Sequence, residues 1–380
     1  MNKNNVKFII PGRIEILGNH TDHQNGKVIC SPINLNSQVN ASVTENNFIS
    51  ITSKNYGKIV IENNYSIIEN SFSMMSTKII IGILKELNLV IINKGISIYI
   101  NSNIPSGSGL GSSASFSLSI IKAINELYNK GLSNLEMAKL SQKIENKYLN
   151  KNSGLMDQIA CLSTGLIKID FKNLEKPEVE KINFNFSDFG YSIYIMDTGE
   201  KHEKLIDDYK QISEEMKLVA NYFHKRNLRE VPYERFKDEI NSISKNLPDR
   251  AVLRAYHYFM ENKRVIKFME LVKENNSIET ILGLINESGI SSSRFLQNYY
   301  TIKSQDRGLD IATMKMKLLF NDKYLATKVC GGGFGGTLLV ITKNSDIFTM
   351  NNFESGCKLL KVLWFLMKLL IVIFWVYIKF

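Results

Sequence analysis

The chain lacks the residues from which metal and disulfide frameworks are made. Its four cysteines, Cys30, Cys161, Cys330 and Cys357, are scattered with no CxxC pair. That pattern fits free thiols in a reducing cytoplasm better than a disulfide framework. Only 5 histidines are present, and the one close pair, His20 and His23, is an HxxH without a further Cys or His cluster. Such a pair is weak for zinc. His202, His224 and His257 read as structural or surface residues. Although the net charge is +10, no basic block with interleaved aromatics stands out, and lysines alternate with Glu and Asp through 199–266. This is the pattern of solvated helix faces, so nucleic acid is not an expected partner, whereas net positive charge suits an anionic nucleotide. The apolar stretch before Pro11 is too short for a signal peptide, so a cytoplasmic location is expected. No internal repeat is visible.

What is present is an ordinary globular composition, 44% hydrophobic and 22% charged, in a chain of 380 residues, enough for two or three domains. The first 100 residues read as short Val- and Ile-rich strands, with a helix around 77–88. After "NIPSGSGLGSSAS" the period changes to about 3.6. Leu118, Ile121, Ile124 and Leu127 then share one helical stripe, with Gly131 as a stop. Ser133 and Glu136 form a capping-box pattern that opens a helix to about 149, and a third helix starts near Gly154. "YSIYIMDTG" reads as a strand, followed by mixed-charge helices to about 289, then two strands joined by a glycine loop in "ATKVCGGGFGGTLLVIT". The polar stretch between 170 and 190 is the expected boundary, giving domains 1–180 and 181–350.

The segment 357–380 is anomalous. It holds both tryptophans and an apolar run interrupted by Lys361 and Lys368. About 20 apolar residues suffice to span a bilayer, but a central lysine costs roughly 2.5–3.5 kcal/mol. A membrane anchor, a core element and an out-of-frame end that replaced the native terminus are all open. The abrupt change in composition favours the last, and membrane association is expected only if the tail is a genuine anchor.

The richest chemistry lies in "PSGSGLGSSAS", between an expected strand and an expected helix. Gly107, Gly109 and Gly111 let backbone approach a ligand closely, and Ser112 and Ser113 sit where unpaired N–H groups and the helix dipole favour an anion. The loop is not a P-loop, because no GK[ST] follows, nor a Rossmann fingerprint with its distal acid. Its pattern PxxxGLGSSA resembles the GHMP kinases, which phosphorylate small molecules. "KVCGGGFGGTLLVI" is similar to that family's third motif. "PGRIEILGNHTDHQNG", "SGLMDQ", "RAYHYFMENKRV" and "LINESGISS" resemble, in order, the galactokinase segments PGRxNxxGEHxDYxxG, GxMDQ, RARHVxxENxRV and LMNESHxSL.

The resemblance implies an α+β, two-domain GHMP kinase fold, with an N-terminal half like the second domain of ribosomal protein S5 and a ferredoxin-like C-terminal half. It implies transfer of the ATP γ-phosphoryl group to the anomeric hydroxyl of galactose, with Mg²⁺. By the same resemblance Asp157 faces the attacking hydroxyl and Arg13 is its partner. Pro105, Gly107, Ser108, Gly109, Leu110, Gly111, Ser112, Ser113 and Ala114 hold the nucleotide, and Ser113 and Glu145 hold the metal. Asn19, His20, Asp22, Gly154 and Tyr209 recognise the sugar. Three positions depart from the family. Glu15 stands where galactokinases generally have Asn, Asn19 where they have Glu, and His23 where they have Tyr. The first two read as a compensated exchange, in which Asn19 still binds a hydroxyl and Glu15 braces Arg13 or the loop. Because these changes touch the sugar side, an amino sugar or a pentose is an alternative substrate. A non-catalytic galactose and ATP sensor is the alternative from another class, opposed by the intact Arg13, Asp157 and "GLGSSAS".

Overall fold

The computed structural model describes residues 4–362 apart from 55, 63–64, 90–93, 199–205, 303, 321 and 347–357. The N-terminal part opens with β1 (Asn5–Leu17) and β2 (Lys27–Thr44), an antiparallel pair. β3 (Ile49–Ser53), β4 (Gly57–Ile61), β5 (Ile67–Asn70), β6 (Gly95–Ser102), β7 (Ile167–Asp170) and β8 (Glu178–Lys181) complete the sheet. Its order is β5-β4-β3-β6-β2-β7-β8, with β1 joined to β2. The expected short strands at the start are instead two long ones of 13 and 18 residues. Pro11 and Pro32 lack the N–H that a ladder needs, and a register shift falls between Pro11 and Arg13, where Arg13 pairs with Pro32. The strands bend at such irregularities rather than ending.

Accompanying this sheet are α1 (Met74–Glu86), α2 (Ser112–Leu127), α3 (Asn134–Leu149) and α4 (Met156–Cys161). The stripe Leu118, Ile121, Ile124 and Leu127 is buried, as its spacing predicts. Ser115, Ser117 and Ser119 are buried as well, making α2 central rather than half-exposed. Their hydroxyls are satisfied locally: Ser115 by Ser37 at 2.8 Å, Ser117 by Ser141 at 2.5 Å, and Ser119 by the Ser115 carbonyl at 2.7 Å. The capping box on α3 forms as expected, with Ser133 and Glu136 each bonding the other's backbone.

The C-terminal part holds β9 (Tyr191–Asp197), then α5 (Ile206–Tyr222), α6 (Tyr233–Asp238), α7 (Ile240–Asn246), α8 (Asp249–Lys273), α9 (Ile278–Ser291) and α10 (Gly308–Leu319). β10 (Leu325–Cys330), β11 (Thr337–Lys343) and β12 (Lys358–Val362) follow, in an antiparallel sheet ordered β10-β11-β9-β12. The sequence pattern did not reveal α10. Its buried Leu309, Ala312 and Met316 follow a helical period, but Ile311, Met314 and Leu318 are exposed apolar residues that blur it. β12 lies within the anomalous tail and pairs with β9 from Lys358–Asp197 to Val362–Ile193, so its backbone covers that sheet edge. The rest of the tail, 363–380, and His202 lie outside the described residues. Among the described residues, no helix is long and apolar enough to cross a membrane.

The two sheets meet over one apolar core. Ile14, Ile16, Ile33 and Leu35 from the first pack with Ile193, Ile195, Leu339 and Ile341 of the second and with Ile281 and Ile285 of α9. Such a shared core fixes the loops at its rim relative to one another.

Candidate active site

Two glycine loops meet at that rim. The first, 105–111, links β6 to α2; the second, 331–336, links β10 to β11. They touch backbone to backbone. A Cβ on Gly109 would lie 2.5 Å from the Cys330 carbonyl oxygen, and one on Gly331 would lie 2.7 Å from the Gly109 carbonyl oxygen. Thr337 donates its hydroxyl to the Ser108 carbonyl at 2.6 Å, while Ser108 bonds the Pro105 carbonyl at 2.7 Å. Leu110 is fully buried and anchors the loop, its carbonyl accepting the Arg13 N–H at 2.9 Å. By contrast, nothing lies within 4 Å of a Cβ built on Gly107. Gly111 ends the loop at φ +76 and gives α2 no side-chain cap, so the N–H groups at Ser112, Ser113 and Ala114 begin the helix beside that open side.

Arg13, on β1, reaches across to α4 and forks onto Asp157. Its Nε donates to Oδ1 at 2.7 Å and its Nη2 to Oδ2 at 2.6 Å, while Nη1 donates to the Gly109 carbonyl. This bidentate, charge-assisted geometry is among the stronger pairings available to side chains. Burial works against the Arg13 charge, but the Asp157 carboxylate outweighs it and raises the guanidinium pKa further. Arg13 is buried, whereas the Asp157 side chain is 34% exposed.

Glu145 and Ser113 also come together. The Ser113 hydroxyl donates to Glu145 Oε1 at 2.5 Å, Ser153 and Gln158 reach Oε2 at 3.3 and 3.4 Å, and Lys151 lies 3.5 Å from Oε1. A hard carboxylate oxygen beside a hydroxyl at the first turn of α2 suits Mg²⁺ that is completed by phosphate and water oxygens. Among the described residues no cluster of three or more His, Cys, Asp or Glu forms a self-sufficient metal site.

The loop 18–26 carries the polar groups expected to meet a sugar. Asp22 accepts the His23 N–H at 2.9 Å and the Met156 N–H, at the start of α4, at 3.4 Å. Gly154 lies so close to the Asp22 carboxylate that any side chain there would overlap it. Burial, and then the nearby Asp157 charge, raise the Asp22 pKa to about 6. His20 Nε2 sits 2.9 Å from the Gly332 carbonyl oxygen, which assigns the ring proton to that nitrogen. Its Nδ1 then accepts from His23 Nε2 at 3.3 Å. Burial lowers the His20 pKa to about 4, keeping the ring neutral at physiological pH. Tyr209, from α5, stacks on His20 with centroids 6.3 Å apart and donates to the Gly333 carbonyl at 3.1 Å.

Asn19 is placed differently from the rest. Its Nδ2 donates to Glu15 Oε2 at 3.1 Å and to the Gly331 carbonyl at 2.8 Å; its Oδ1 accepts from Asn298 at 2.9 Å and Ser292 at 3.3 Å. Both amide hydrogens and both lone pairs are thus committed to protein, and the side chain shapes the loop from behind. Glu15 turns to Lys328 rather than to Arg13, its Oε1 lying 2.6 Å from Nζ.

Sequence reasoning did not single out the residues that hold this loop. His257, expected to be structural or at the surface, is fully buried, donates from Nε2 to the Asn19 carbonyl at 2.9 Å and accepts from Ser291 at 2.9 Å. Glu261 accepts the Gly18 N–H at 3.0 Å and the Ser288 hydroxyl at 2.5 Å. Both lie in "RAYHYFMENKRV", and their serine partners lie in "LINESGISS". The signal was therefore present, as two motifs whose roles no local pattern explains.

The family described as GHMP kinases N terminal domain matches residues 76–165, and the galactokinase galactose-binding signature matches residues 5–42. A galactokinase from Clostridium perfringens is 31% identical over 352 residues, 90% of this chain and 86% of that protein. One from Thermotoga neapolitana is 28% identical over 343 residues, 88% of each chain. The solved Lactococcus lactis galactokinase complexed with galactose superposes with a TM-score of 0.79 at 23% identity, covering 96% of this chain and 94% of that one. The Methanococcus jannaschii mevalonate kinase superposes at 0.65 and 19% identity, covering 96% and 100%. These superpositions bear out the two-part α+β GHMP kinase fold.

Proposed function

The chain belongs to the galactokinases of the GHMP kinase family, ATP-dependent sugar kinases, and on that premise we propose how its site works and on which sugar. The reading is transfer of the ATP γ-phosphoryl group to the anomeric hydroxyl of D-galactose, giving galactose 1-phosphate and ADP. The observation that carries it is the Arg13 fork on Asp157 beside the uncapped N-terminus of α2. Phosphoryl transfer needs little covalent help; it needs positioning and positive charge around the transferred oxygens.

In this reading the sugar hydroxyl bonds a lone pair of Asp157 that Arg13 does not use, so the carboxylate orients the hydroxyl and takes its proton late in the transfer. Arg13 is held by the same fork and by the Gly109 carbonyl, which places its charge beside the phosphate loop. Residues 105–114 receive the phosphates on the α2 N-terminus and on the open side at Gly107. Ser113 and Glu145 would hold Mg²⁺, which supplies charge neutralisation on the phosphates. Asp22 accepts sugar hydroxyls, backed by Gly154, with His20 and Tyr209 walling the pocket against the second glycine loop. We also propose domains of 1–180 and 181–350, and a cytoplasmic setting, the latter supported by the buried free thiols of Cys30, Cys161 and Cys330.

The second reading, another hexose, an amino sugar or a pentose, draws on His23 and on the committed Asn19 amide. A coupled ATPase assay across galactose, other hexoses, pentoses and amino sugars separates the two. Galactose is expected to give the highest kcat/KM. A different sugar ranking well above it would replace the substrate and leave the reaction standing, while no turnover with any sugar by folded protein would remove the reaction.

A further inference from the structure

We propose that Lys328 is a positioning residue for phosphoryl transfer, acting through Glu15 and Asn19 to set the second glycine loop against the first. The inference rests on the reading of Arg13 and Asp157 given above. Lys328 and Glu15 form a buried ion pair, with side chains 0% and 2% exposed. Lys328 lies on β10, immediately upstream of the second glycine loop, and Glu15 lies on β1, two residues from Arg13.

The contacts form a continuous relay. Lys328 Nζ holds Glu15 Oε1 at 2.6 Å, and Glu15 Oε2 accepts from Asn19 at 3.1 Å. The same Asn19 amide donates to the Gly331 carbonyl at 2.8 Å. Gly331 rests on the Gly109 backbone, and Gly109 accepts from Arg13, which forks onto Asp157. A second link is covalent. Arg13, Ile14 and Glu15 pair regularly with Pro32, Ser31 and Cys30, and the register shifts fall on either side of them. Residues two apart on a regular strand share a face, so Glu15 and Arg13 move together.

Stability alone does not explain such a pair. Desolvation largely cancels the attraction of a buried ion pair, and well-packed apolar residues often serve a core equally well. A lone carboxylate or ammonium at this depth would be costly, but the pair as a whole gives direction rather than adhesion. Two charges and one amide with all its bonds made specify a single register between β1, β10 and the glycine loop. An apolar contact would allow small slides, and a misplacement of about 1 Å can cost roughly 100-fold in rate.

The test compares Lys328→Met, the double variant Glu15→Gln/Lys328→Met and Asn19→Ala with the wild-type chain, with Asp157→Ala run in parallel. Lys328→Met strands a buried carboxylate, so both Tm and kcat should fall. The double variant removes both charges and should recover most of the Tm, while its kcat stays about tenfold or more below wild type with KM for ATP and sugar within about twofold. Asn19→Ala breaks the relay without stranding a charge, and should show the same kcat loss with KM retained even if the double variant does not fold. Recovery of kcat together with Tm in the double variant, or a wild-type kcat in Asn19→Ala, would overturn the proposal and leave the pair a purely structural one. A change confined to KM would overturn it equally. If Asp157→Ala is itself fully active, the site reading has failed instead.

Discussion

The two glycine loops are alike in composition and opposite in environment. At 105–111 the chain passes an open space at Gly107 and enters a helix whose first N–H groups have no side-chain cap. At 331–336 protein fills the same kind of space. A side chain on Gly332 would overlap the Tyr209 ring, one on Gly333 would overlap the Asn298 carbonyl, and Phe334 sits at φ +60 with its N–H on that carbonyl. Gly107 in the first loop faces open space while Gly109 packs on the second loop, and Gly332 and Gly333 in the second make room for the protein itself. The second loop is thus a packed plate that backs the first and carries the carbonyls that hold His20 and Tyr209.

The sharpest way to break this comparison is on the open side. Asp157→Ala should lower kcat by roughly 10²–10⁴, the range for a positioned proton-accepting group, while leaving ATP affinity largely intact by calorimetry. Full activity would mean that another residue faces the hydroxyl. Next comes a pair of glycine variants read by thermal unfolding and KM. Gly333→Ala meets both a positive φ of +83 and a clash, and should cost about 3 kcal/mol or more. Gly107→Ala meets only the φ of +72, and should cost about 1–2 kcal/mol with a raised KM for ATP. Equal stability losses in the two would erase the distinction between an open loop and a packed one.

The sugar side offers a pH test. Asp22 titrates at about 6 in the folded chain against 3.8 unfolded. Between those values the native state holds a proton that the unfolded chain releases, so this group's contribution to stability falls as pH rises from 3.8 to 6. Sugar binding has the opposite sign, since accepting hydroxyls needs the carboxylate. KM for the sugar should therefore rise as pH falls through 6, with KM for ATP little changed, and Asp22→Asn should flatten the profile. A profile unaltered by that substitution would place the sugar contact elsewhere. The smallest effect is expected at Tyr209→Phe, which removes the hydrogen bond to Gly333 and about 0.5–1.5 kcal/mol. A change of several hundredfold in KM would instead show that the hydroxyl meets the sugar directly.

Much of the frame was legible without coordinates because it is encoded locally. The capping box at Ser133 and Glu136, the stripe on α2 and the glycine-to-helix transition at 111–112 each depend on neighbours a few residues away. The long strands were harder to read, because Pro11 and Pro32 look like terminators when the partner strand is unknown. α10 was hidden by exposed apolar residues, which carry no period of their own. The tail read as foreign by composition, yet Lys358–Val362 still finds a place on β9, since a sheet edge accepts any strand-forming backbone.

The sequence by itself determined the glycine loop at 105–111 and its entry into a helix, the pairing of Arg13 with Asp157 by family resemblance, and the exchange of residue types at Glu15 and Asn19. Only the tertiary structure decided what that exchange does. It places the carboxylate at 15 against Lys328, more than 300 residues away, and commits the amide at 19 to four protein groups. Which hydrogen bonds a buried side chain makes depends on the groups that folding delivers around it, and no spacing along the chain records them.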